Sequence, residues 1–182
     1  HRGEMRWVQR LNHAIDTDSF ELFGQRILPL GNQCTETERI EILLRMRDRE
    51  SNRLILPGAF LPAAERYGLQ GRLDIWVVAH VIEAMQAQNP RDVANRQIWV
   101  NLSGNSVGDP KVADALIQIV SEADLPRGVL NFEITETAVI RKITDAKRLI
   151  SALQEMGCRF ALDDFGSGLS SFGYLKHLNV DG

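Results

Sequence analysis

Gln97-Ile98-Trp99-Val100-Asn101-Leu102-Ser103 is a short apolar run that closes on polar residues, and the pattern returns twice downstream. Val129 to Thr135, which holds Glu133, and Arg159 to Leu162, which Asp163 and Asp164 follow, each read as a strand with an acid near its end. Asn101, Glu133 and Asp163 stand 32 and 30 residues apart, the length of a strand, a helical crossover and the approach to the next strand. Helix signals fill the gaps. Asp109-Pro110 opens one helix, with Asp as N-cap and Pro in the first turn, where a missing N–H is harmless. Thr144 is expected to cap another, which runs through Met156 and stops at Gly157. Strands alternating with helices predict an α/β fold built on a parallel sheet.

Working outward, Phe20 to Leu30 and Arg39 to Arg47 read as strands, and Pro57 to Tyr67 and Arg72 to Gln88 as helices. Arg159 to Leu162 is a strand, Ser170 to His177 a helix, and Val180-Asp181-Gly182 the approach to a further strand. Five strands are therefore expected, with a sixth beginning. Residues 1–19 read as a lead-in or linker helix, because Trp7, Val8, Leu11, Ala14 and Ile15 share one face at helical spacing.

The 182 residues are 44% hydrophobic and 25% charged, the composition of an ordinary globular domain. A formal net charge of −3 argues against a broad DNA or RNA surface, which is usually clearly basic. No apolar run approaches the roughly 18 residues needed to cross a bilayer, so no membrane contact is expected from this segment. The first ten residues lack the apolar centre of a signal peptide. Two cysteines, Cys34 and Cys158, make no disulfide framework and fit a cytoplasmic setting. Cys158 reads as a small packed thiol, Trp76-Val77-Val78 as core, His80 as a packed or capped histidine, and His177 as a helix-end residue.

Metal-competent side chains recur near strand ends: Glu41, Asn101, Glu133, and the pair Asp163 and Asp164. In parallel α/β folds the site lies at the carboxyl ends of the strands, so these five residues should converge. Acids among buried apolar neighbours are expensive to ionise, and mutual repulsion makes a cluster worse. Divalent cations relieve both, and an all-oxygen set selects hard ions such as Mg²⁺ or Mn²⁺. A two-metal site would attract phosphate and lower the pKa of bound water, which implies phosphoester hydrolysis. Taken singly, Asp163 or Asp164 reads at least as well as a helix cap; caps do not call for acids inside strands, as at Glu41 and Glu133. Asp164-Phe165-Gly166 matches the metal-binding triplet of protein kinases, but the Gly-rich loop and the His-Arg-Asp segment are absent.

At these residues the chain resembles the EAL family of cyclic-di-GMP phosphodiesterases. The motifs run in order from about Phe20: Glu41-Ile42-Leu43-Leu44-Arg45, Pro57-Gly58-Ala59-Phe60-Leu61-Pro62-Ala63-Ala64-Glu65, Val100-Asn101-Leu102-Ser103, Glu133-Ile134-Thr135-Glu136-Thr137, and Asp163-Asp164-Phe165-Gly166-Ser167-Gly168-Leu169-Ser170-Ser171. The resemblance implies a TIM-like (β/α) barrel that hydrolyses cyclic di-GMP to linear pGpG. It implies that Glu41, Asn101, Glu133 and Asp163 hold a first Mg²⁺ or Mn²⁺, that Asp163 bridges, and that Asp164 serves a second. Arg45 and Gln25 would then contact the substrate, and Glu136 would anchor the loop after the Asp pair. A surface salt bridge for Arg45 or Glu136 and a turn hydrogen bond for Gln25 remain equal alternatives. Ile42, Arg26 and Leu169 replace the family's usual Ala, Pro and Tyr, and none of these removes a ligand.

Residues 20–182 are expected to form this domain, with about five to six of eight strands, cut before the family's catalytic Lys and general-base Glu. A homodimer and an upstream regulatory or GGDEF-like domain are implied by the same resemblance. A catalytically inactive cyclic-di-GMP receptor is the alternative function.

Overall fold

The computed structural model describes residues 2–29, 36–135 and 143–163. In chain order the elements are α1 (Arg2–Asp16), β1 (Phe20–Ile27), β2 (Glu38–Arg47), β3 (Leu54–Ile55), α2 (Pro57–Arg66), α3 (Gln70–Gln86), α4 (Pro90–Ala94), β4 (Arg96–Leu102), α5 (Gly104–Gly108), α6 (Pro110–Ala123), β5 (Leu130–Thr135), α7 (Ile143–Glu155) and β6 (Phe160–Asp163). Asp109 caps α6 by accepting a hydrogen bond from the Lys111 N–H at 2.9 Å, with Pro110 in the first turn, as its sequence predicts. Gly157, at φ +97°, turns the chain after α7 where an L-residue would be strained. Thr144 lies inside the first turn of α7, which has already begun at Ile143, so it is not the cap. The expected helix over Ser170 to His177 and the strand approach at Val180 lie outside the described residues.

The strands form one open sheet in the order β1-β2-β4-β5-β6, with β3 paired to β2 off that path. The β2-β4, β4-β5 and β5-β6 pairs are parallel, as the 30-residue spacing predicts. The first two strands depart from the βα expectation: β1 and β2 are antiparallel, with Phe20 opposite Met46 and Ile27 opposite Arg39. Only residues 28–37 separate them, and a parallel crossover needs a dozen or more. A further two-residue strand, β3, which the sequence does not announce, runs antiparallel to the end of β2. Strand β1 also stops at Ile27, short of Leu30.

Register decides which side chains share a face. Ile40, Ile42, Leu44 and Met46 of β2 alternate with Arg39, Glu41, Leu43 and Arg45. Across the parallel pairs, Ile98, Val100 and Leu102 line up with Leu130, Phe132 and Ile134, and then with Phe160 and Leu162. Beyond the Glu38–Arg96 ion pair at the strand starts, this even-numbered side is apolar and belongs to one continuous core with residues of α3, α6 and α7, including Leu73, Val77, Val81, Leu116, Leu149 and Leu153. Burying such side chains contributes roughly 1.5–3 kcal/mol each. Phe20 and Phe60 join Trp76 at one end of it, with ring centroids 5.8 and 5.3 Å from Phe20. The Trp76-Val77-Val78 run is core, as read from the sequence. His80 stacks on Trp76 at 3.8 Å, binds the Trp76 carbonyl through Nδ1 at 2.8 Å and meets Asp18 through Nε2 at 3.1 Å. It is a packed histidine.

Candidate functional site

The opposite, odd-numbered face carries the chemistry. Because the core takes the even residues from Ile40 of β2 and Ile98 of β4 onward, and those of β5 and β6, Glu41, Asn101, Glu133 and the Cα of Asp163 fall on the other side by the period of two alone. The register then sets their heights. Gln25 and Trp99 lie opposite Glu41, Glu133 lies opposite Asn101, and Thr135 lies opposite Asp163. The candidates thus climb one rung at a time: Glu41 lowest, Asn101 and Glu133 level with each other, Asp163 above. A stagger of this kind is what a tilted, sheared barrel wall produces.

Adjacent members touch. Asn101 Nδ2 donates to Glu41 Oε1 at 3.2 Å, across the β2-β4 diagonal. Glu133, its side chain only 14% exposed, lies 3.6 Å from Nη2 of Arg39 through Oε1. Arg39 reaches it from β2 by lying over the Trp99 ring, 4.2 Å from the centroid. Arg45 donates from Nη1 to the Leu44 carbonyl at 2.8 Å, and Gln25 is exposed on β1. Glu41, Asn101 and Glu133 are therefore neighbours on one face, while Gln25 and Arg45 sit on its β1-β2 flank. The side chain of Asp163, with the whole of Asp164 and Glu136, lies outside the described residues.

Carboxylates and an amide oxygen are the donors that hard divalent ions take, so the residues present fit Mg²⁺ or Mn²⁺. Among the described residues no three His, Cys, Asp or Glu side chains converge on one point; the pair of acids on this face is completed by an amide. An open cleft of about 720 Å³ lies elsewhere, lined by Arg6, Arg10, His13, Met46 and Asp48 among others. Two of its charges are paired, Arg10 with Asp48 at 3.2 Å.

Two residues of consequence escape a reading by strand ends. Asp74, on α3, gathers three hydrogen bonds on one carboxylate oxygen, from Ser103 N (2.9 Å), Ser103 Oγ (2.7 Å) and Ser106 Oγ. These fasten the turn that follows Asn101 and opens α5. Enclosure of the carboxyl end pushes its pKa up from the ordinary range, and the three donors oppose that rise. An acid inside the apolar stretch Leu73-Asp74-Ile75-Trp76 was the available signal. Arg39 is the second, and it stands two residues before Glu41, hence on the same face.

A profile of the family described as EAL domain matches residues 8–182. The chain belongs to the EAL domain family. This EAL domain is 32% identical over 180 residues to the cyclic di-GMP phosphodiesterase PdeF of Escherichia coli, a match covering 99% of the chain and 23% of that protein. It is 33% identical over 186 residues to the cyclic di-GMP phosphodiesterase PdeB of Shewanella oneidensis, covering 99% of the chain and 21% of that protein. The chain thus spans under a quarter of the length of these relatives. The crystal structure of the FimX EAL domain from Pseudomonas aeruginosa bound to c-di-GMP superposes with a TM-score of 0.83 at 30% identity, covering 96% of this chain and 69% of that one. The open α/β sheet is accordingly an incomplete TIM-like barrel of the EAL type. No described helix of the EAL domain is long and apolar enough to cross a membrane.

Proposed function

We propose that this EAL domain hydrolyses cyclic di-GMP to linear pGpG with Mg²⁺ or Mn²⁺, on the face that holds Glu41, Asn101 and Glu133. The observation that carries the reading is the placement of these three on neighbouring strands of one face, with Asn101 bonded to Glu41 at 3.2 Å. Relatives covering almost the whole chain are named cyclic di-GMP phosphodiesterases. Bound divalent ions would neutralise the acids, draw in the phosphodiester and activate water. The chain's own part is to hold the ligands. Glu41 is kept in place by Asn101; Glu133 is largely enclosed; the backbone of Asp163 stands one rung higher, and Asp163 would serve both ions and Asp164 the second. Arg45 and Gln25, on the flank, would contact the substrate, Arg45 at a phosphate oxygen, and Glu136 would anchor the loop after the Asp pair. Residues 1–19 serve as a lead-in from an upstream regulatory or GGDEF-like domain, and the native protein works as a cytoplasmic homodimer. A concentration-independent monomer in sedimentation velocity would remove the dimer.

The test is turnover of cyclic di-GMP by the native protein in Mn²⁺, followed by chromatography of pGpG. Glu41→Gln should lower kcat by at least about 100-fold, because a ligand to the catalytic ion is lost. Tight binding of cyclic di-GMP with no pGpG, in Mn²⁺ or Mg²⁺, would assign a receptor instead.

A further inference from the structure

Arg39 is the one described cation that reaches into the row of candidate ligands. Its guanidinium crosses β4 on the indole of Trp99 (4.2 Å to the centroid) and ends 3.6 Å from Oε1 of Glu133 on β5. Trp99 is 3% exposed, so the stack fixes the path of the side chain. Arg39 Nε is buried and has no hydrogen-bond partner among the described residues. The guanidinium is thus held where it is by the ring and by one carboxylate, not by a saturated set of hydrogen bonds. The negative face of the indole attracts the guanidinium, and a carboxylate at this distance adds a Coulombic attraction that strengthens as water is excluded.

We infer that Arg39 is a built-in counter-cation of the acidic face, which neutralises Glu133 in the ion-free protein and opposes the entry of a divalent ion. This rests on the metal reading of the preceding section. Two positive charges cannot both take full advantage of one largely enclosed carboxylate. Whatever ion binds Glu133 works against the Arg39 charge, and its affinity is set lower than the ligands alone would give. Arg39 therefore tunes metal affinity without being a ligand.

The experiment measures Mn²⁺ binding calorimetrically in the native protein, with Arg39→Gln and Arg39→Lys beside it, and records the Tm of each without metal. Arg39→Gln should bind Mn²⁺ on the order of ten-fold more tightly, from removal of a like charge within a few ångströms, and should melt lower than the parent when metal-free. Arg39→Lys, which keeps the charge, should stay close to the parent in affinity. If Arg39→Gln does not fold, Arg39→Met, which keeps an apolar stem against Trp99, serves in its place. Equal or weaker Mn²⁺ binding in the charge-removing variant overturns the inference while leaving the metal reading intact. Absence of Mn²⁺ binding in the parent and in every variant overturns both.

Discussion

Asp74 shows how much one side chain on a helix governs a site to which it contributes no atom. Three donors from Ser103 and Ser106 converge on its Oδ2, and Ser106 is fully buried. Removing the acceptor strands those donors, at roughly 1–3 kcal/mol for each buried group left unpaired. Asp74→Ala should therefore lower stability by about 3 kcal/mol in urea unfolding. Asp74→Asn retains an acceptor oxygen in the same place and should recover most of the loss. Because the fastened turn follows Asn101 directly, Asp74→Ala should also weaken Mn²⁺ binding, an effect that a purely global destabilisation would not produce below the unfolding transition. Equal Mn²⁺ affinity in the folded Ala variant and the parent would confine Asp74 to a structural role.

At the scale of elements, the two sides of β2 predict opposite outcomes for adjacent residues. Ile42 packs toward the helices as part of the core margin, whereas Glu41 bonds Asn101 on the other side. Ile42→Asn should cost about 2–3 kcal/mol, since a polar group enters an apolar layer without a partner. Glu41→Gln should move stability by less than about 1 kcal/mol and yet abolish Mn²⁺ binding. Paired thermal melts and calorimetry read both; similar stability losses in the two would contradict the assignment of faces. The same two-sidedness explains what was legible beforehand. Strands β4, β5 and β6 announce themselves through apolar runs ending on Asn101, Glu133 and Asp163, and α6 through Asp109-Pro110. The β1-β2 hairpin was misread because apolar pattern gives strands but not direction; the ten-residue connection was the clue. Two-residue β3 and five-residue α4 and α5 are too short for periodicity to reveal them. Asp74 and Arg39 were missed because their importance lies in partners on other elements.

For the molecule as a whole, Cys158 is a reporter of global opening. It lies between α7 and β6, is 6% exposed, and its thiol is pushed up to about 12 by burial, with Arg127 opposing weakly. Cys158 of the native protein, followed on its own peptide by mass spectrometry, should react with iodoacetamide at pH 8 on the order of 10³-fold more slowly than in unfolded protein, since the thiolate is the nucleophile. The linkage sign follows from the same shift. Folded protein holds this proton more tightly than the unfolded chain, so the contribution is complete below the ordinary thiol range and is lost as pH rises toward about 12. Cys158→Ala should flatten that alkaline decline in chemical-denaturation curves, and an unchanged slope would assign it to other groups. The ladder of rungs on which Glu41, Asn101, Glu133 and Asp163 stand bears on how such a chain can change length over evolutionary time. A single residue inserted ahead of Asn101 within β4, or ahead of Glu133 within β5, would swing that side chain toward the helices, while two would keep its side and lift it by one step. Natural variants should accordingly gain and lose residues freely in connections, but within these strands only in even numbers.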